Sequence, residues 1–149
     1  MKRREIIAAL ALAGIFVALY LTLYKMGAIG ELSCRIGSCE TVNSSRWAVF
    51  FGAPVAAWGV GFYVVVFALA LAGLRARFAD SRRLSLALVL LSGWGVAFSL
   101  WLTYLELFVI HAICQWCVVS ALIVTAIFLI SLRDYLAPGS PEDAARESK

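Results

Sequence analysis

The chain has 149 residues, one domain's worth, of which 63% are hydrophobic, and its mean hydropathy is +0.92. Soluble domains carry about 45–50% apolar residues; a soluble fold of this composition would lack polar surface, so the chain belongs in lipid. The net charge of +4 does not gather into one basic patch of the kind nucleic acid selects, and the placement of cations on one side of a membrane accounts for it better.

The start, Met1 to Glu5, is polar and basic, with Lys2, Arg3 and Arg4. Ile6 to Tyr24 then runs 19 residues without a charge, close to the ~20 needed to cross a hydrocarbon core. A signal peptide competes for this stretch, but its apolar region is only ~7–15 residues and ends in a small-x-small cleavage site. Here the run is longer and ends in Leu-Tyr-Lys-Met, so a retained helix is expected. Gly27 to Phe50 is the first loop, with Cys34, Cys39 and the turn-prone run Asn43-Ser44-Ser45. Its aromatic end, Trp47-Ala-Val-Phe-Phe-Gly, suits a segment lying in the membrane interface.

Phe51 to Leu74 is the second uncharged span, with Pro54 in its first turn, where a missing N–H costs little. Ala53, Ala57 and Gly61 recur every four residues, and ordinary close helix packing is the expected use of such a stripe. Arg75 to Arg83 is a short loop with four arginines and one acid, Asp80. Leu84 to Leu105 is the third span, Glu106 to His111 a tight turn, and Ala112 to Leu132 the fourth span. Residues 1–132 thus form an all-α, four-helix membrane domain with an outward-facing first loop. The polar tail, 133–149, contains Pro138-Gly139-Ser140-Pro141 and is expected to be disordered.

Ten of the 13 lysines and arginines lie in the start, the second loop and the tail. That bias places both termini in the cytoplasm, and both cysteine pairs then face the periplasm or an equivalent oxidising space, where disulfides persist.

Cys114 and Cys117 form a C-x-x-C pair at the start of the fourth span and share a helix face. The partial positive charge of a helix N-terminus favours the thiolate. Cys114 is the shallower thiol, suited to exchange with another segment. Cys117 lies ~4.5 Å deeper and suits a lipid-soluble acceptor. Cys34 and Cys39 bracket Arg-Ile-Gly-Ser, a segment able to shuttle. Two redox pairs on one side of a membrane are the expectation; inert structural disulfides and a four-thiolate zinc site are the alternatives. His111, the lone histidine, and Glu106 read as solvated interfacial groups. Trp58, Trp94, Trp101 and Trp116 read as packing or interface anchors, with a quinone pocket as the other use.

These residues resemble the vitamin K epoxide reductase family, in particular its bacterial members without a fused thioredoxin domain. The resemblance covers roughly residues 6 to 132. It rests on Cys34 and Cys39 in the first loop, Ser45 six residues further on, Gly52-Ala53-Pro54 followed by Gly59 and Tyr63, and Cys114-Gln-Trp-Cys117. It implies a four-helix bundle around a quinone of the ubiquinone or menaquinone type, with the loop pair relaying electrons to the C-x-x-C pair and Ser45 supporting the quinone site beside Cys117. It also implies a thioredoxin-fold partner outside the membrane, reoxidised by this chain. Animal members carry a tyrosine four residues after the last cysteine, where this chain has Ala121; that departure favours quinone reduction over epoxide reduction. Another four-helix disulfide-forming family places its C-x-x-C pair first, whereas here it comes second.

Overall fold

The computed structural model describes residues 2–31, 33–35, 37–78 and 81–136. Four helices are long and apolar enough to cross a membrane: α1 (Lys2–Lys25), α3 (Val55–Leu74), α4 (Arg82–Leu105) and α5 (Gln115–Leu136). Between α1 and α3 lie the short helix α2 (Cys39–Ser44) and a hairpin of β1 (Val49–Phe50) with β2 (Ala53–Pro54). The four-helix bundle expected from the charge-free runs is the fold.

Three boundaries differ from expectation. Glu106 to Ile110 is no tight turn: it continues α4 as a π-helical turn, and the chain reverses only at His111, which adopts a left-handed φ of 56°. The final helix runs on to Leu136 instead of ending at Leu132, because Asp134 has a buried partner. The interface segment after Trp47 folds into the hairpin. Its two turn residues, Phe51 and Gly52, both have positive φ (52° and 77°), the pattern of a type I′ turn. Phe51 is 84% exposed at the tip, as suits a segment at a membrane surface. The expectation for the tail concerns Pro138 to Pro141, which lie outside the described residues.

Side chains fix how the helices meet. α1 packs closely along α3 and α5, and α4 along α5, while α3 and α4 touch only sparingly. Gly14 makes the α1–α3 approach possible: a Cβ there would fall 2.5 Å from the Tyr63 ring. Tyr63 in turn reaches α5, its hydroxyl donating to the Ser120 carbonyl at 2.9 Å. The stripe of Ala53, Ala57 and Gly61 is not the packing seam. Nothing stands within 4 Å of a Cβ at Gly61, and Ala57 and Gly61 instead line a cavity.

At the end of the bundle where α1 starts and α5 ends, Arg4 is buried at 5% exposure. Its guanidinium donates to the carbonyls of Gly73 (2.8 Å) and Phe78 (3.0 Å) and to Ser85 Oγ (3.1 Å), and pairs with Asp134 at 3.4 Å. One side chain thus ties α1 to the ends of α3, α4 and α5.

Candidate active site

The cysteines gather at the opposite end. Cys34 and Cys39 are joined by a disulfide with Cα atoms 6.2 Å apart, and Cys114 and Cys117 are thiols. Cys39 (1% exposed) and Cys114 (0%) share one buried cluster with Leu21 and Val42. Cys34 lies at the edge of that cluster, partly exposed. The loop is seated on the fourth helix through its backbone: Gly37 forms a β-bridge with Cys114, and the Ser38 amide donates to the Ile113 carbonyl at 2.7 Å. Only glycine serves at 37. Its φ is +86°, and a Cβ there would run into the Ile113 carbonyl oxygen. Trp116 braces the same loop from below, its indole N–H donating to the Ser33 carbonyl at 2.8 Å.

Cys114 caps α5. Its carbonyl accepts from the Val118 amide at 3.1 Å and its sulfur from the Cys117 amide at 3.4 Å, which is how a cap satisfies the orphan donors of a first helical turn. The Cys114 thiol is held below the ordinary cysteine range, first by hydrogen bonding with the Cys117 side chain; burial and the charge of Glu106 work the other way. A depressed value raises the thiolate fraction that exchange requires.

Two neighbours of this pair were not apparent from the sequence. Asn43, expected in a turn, sits buried in the last turn of α2. Its amide donates to the Cys39 carbonyl (2.8 Å) and lies 3.7 Å from Cys114 Sγ. Lys25 holds Asn43 in place through its carbonyl at 2.9 Å. Glu106, expected at the interface, is 6% exposed. Its Oε2 accepts the Cys114 amide at 3.2 Å, and it lines the same cavity as Cys117. The added π turn draws it inward. His111 is exposed, as expected.

Cys117 opens onto a cavity of about 650 Å³ within the bundle, within the ~300–1,000 Å³ usual for small-molecule sites. Its walls are largely apolar. Trp58 and Trp94 line it and are also 51% and 70% exposed, at the sparse α3–α4 contact. Trp101 and Trp116 are not among the described lining residues. Ser45 reaches the wall, but its hydroxyl donates to the Val42 carbonyl at 2.7 Å, closing the end of α2. Ala121 also lines the cavity.

The site is that of a multi-pass membrane protein with a thiol pair at an apolar cavity and a disulfide-bonded loop seated against it. Residues 5–132 match the Vitamin K epoxide reductase family. The chain belongs to that family, whose members are membrane oxidoreductases coupling thiol–disulfide chemistry to quinones.

Proposed function

We propose that this chain oxidises the dithiol of a soluble thioredoxin-fold protein outside the cytoplasm and passes the electrons to a membrane quinone. Both termini then lie in the cytoplasm and both cysteine pairs outside, the orientation favoured by the cation bias of ten to three. The observation that carries the reading is the seating of Gly37 on Cys114. It brings a loop disulfide against the thiol pair beside the cavity.

The partner's thiolate attacks Cys34, the more exposed loop sulfur, and Cys39 leaves. The partner's second thiol resolves the mixed disulfide, leaving Cys34 and Cys39 reduced. Cys39 then attacks Cys114 of an oxidised Cys114–Cys117 pair, and Cys34 closes back on Cys39. The outcome is the arrangement described above, loop oxidised and helix pair reduced. A quinone fits the cavity by size, by its apolar and indole walls, and by the thiol of Cys117; as oxidant it accepts the pair's two electrons. Strongly oxidising and thioredoxin-like pairs differ by ~150 mV, or ~7 kcal/mol for two electrons, so holding a partner at the oxidising end needs a steady sink. Ala121 supplies no hydroxyl to the cavity, which supports quinone over epoxide as substrate.

Purified protein given a reduced thioredoxin-fold protein and ubiquinone or menaquinone should form quinol. Cys39→Ser should trap Cys34 bonded to the partner, and Cys34→Ser or Cys117→Ser should enrich a Cys39–Cys114 bond in non-reducing peptide maps. No quinol, with only the two intrapair disulfides in every variant retaining them and no cross-linked species in the rest, would leave a protein with inert disulfides.

A further inference from the structure

We infer that Glu106 is the proton carrier of the helix pair, taking the proton of Cys117 and handing it to the electron acceptor in the cavity. This rests on the quinone-reductase reading above. The relay between cysteines makes no use of Glu106, yet its placement is costly: a carboxyl group 6% exposed inside a membrane bundle needs compensation. The compensation found is the reactive pair itself. The Cys114 amide donates to Oε2 at 3.2 Å. A carboxylate has two oxygens and about four lone pairs, so capacity remains for the Cys117 thiol, which lines the same cavity. Among the described residues lining the cavity, Glu106 carries the only carboxyl group. It therefore shares one cavity with the sulfur that loses a proton and faces the space in which a proton is consumed.

The step balances as follows. Cys114 enters as thiolate and Cys117 as thiol. Their S–S bond forms, and the two electrons released reduce the quinone. The Cys117 proton passes to the Glu106 carboxylate and from it to a quinone oxygen, returning Glu106 to its starting state. The second proton of the quinol comes from water at the cysteine end of the bundle. No base other than Glu106 is needed within the apolar cavity.

Glu106→Gln separates this role from a merely structural one, because the amide oxygen still accepts the Cys114 N–H but cannot carry a proton. Proton transfer by a placed side chain is worth about 10²–10⁴-fold. Quinol formation from the pre-reduced Cys114–Cys117 pair should fall about 10²-fold in Glu106→Gln, and Glu106→Asp should recover part of that loss. A second readout needs no quinone. In a Cys34→Ser/Cys39→Ser background only Cys114 and Cys117 contribute S–H infrared bands. Replacing the carboxylate by a weaker acceptor should move the Cys117 band to higher wavenumber. An unchanged rate with an unmoved S–H band in Glu106→Gln would overturn the inference, as would equal losses in the Gln and Asp variants. Failure of the wild-type protein to form quinol is a different result and would sink the functional reading instead.

Discussion

Asn43 is the side chain through which loop and helix sense each other. It donates to the Cys39 backbone and reaches Cys114 Sγ, so it can stabilise a developing thiolate on Cys114. Asn43→Ala should reduce the rate at which Cys114 is alkylated at neutral pH, read by mass spectrometry, with Cys34–Cys39 still forming. The sign of the pH dependence follows from Cys114 itself. Its thiol is depressed, so oxidation of the pre-reduced helix pair, which starts from the Cys114 thiolate, should persist below the range of an ordinary cysteine and fail only as acid protonates that thiolate. Stopped-flow rates of quinol formation from the pre-reduced pair across pH check this; a midpoint at or above that of an unperturbed thiol would contradict it. Ser45 is tied to the Val42 carbonyl, an interaction worth about 1 kcal/mol. Ser45→Ala should therefore loosen the end of α2 and slow quinone reduction several-fold, leaving thiol exchange intact; equal slowing of both steps would remove any specific link to the quinone. That the two cysteine pairs come together was legible, because a C-x-x-C pair at the start of an apolar run and a second pair in a loop have few other uses. Asn43 and Glu106 were not. Nothing local separates a turn asparagine or an interfacial glutamate from one that the fold buries beside the Cys114–Cys117 pair.

At the scale of elements, the seat of the loop on α5 is a backbone match made by Gly37, Ser38 and Ile113. Gly37→Ala introduces a side chain at φ +86° against a carbonyl oxygen. It should lift the loop and cut transfer between the two pairs more than tenfold, with the loop disulfide still forming and α5 intact by circular dichroism. The spans themselves were readable from charge-free length. Their ends were less so: a π turn continues α4 past Leu105, and the extension of α5 to Leu136 goes with a partner of Asp134 far away in sequence, Arg4. The β1–β2 hairpin was hidden for a related reason. Its turn uses a phenylalanine at positive φ, a residue that does not announce a turn.

Across the whole molecule, the reactive cluster at one end is matched by the Arg4 clasp at the other. A buried ion pair is weak evidence for net stability, but removing one partner strands the other and costs about 3–5 kcal/mol. Arg4→Met, which also strands the Gly73 and Phe78 carbonyls, should cost stability of that order, read as a lower melting temperature in detergent, and Asp134→Asn should cost less, since Arg4 then keeps both carbonyls. A double-mutant cycle measures their coupling. The same end should face the cytoplasm. A reporter fused after Lys149 that fluoresces only in a reducing, cytoplasmic setting should be active, and activity only outside would reverse the orientation.

Between α3 and α4, which touch sparingly, Trp58 and Trp94 both line the cavity and stand exposed, so entry from the bilayer is expected at this seam. An acceptor entering there arrives by lateral diffusion in two dimensions. Its effective concentration is then a mole fraction in lipid, set by how much membrane shares the pool. Diluting proteoliposomes with buffer at a fixed concentration of the reduced soluble partner should leave turnover unchanged, while fusing them with quinone-free lipid at fixed total quinone should slow it in proportion.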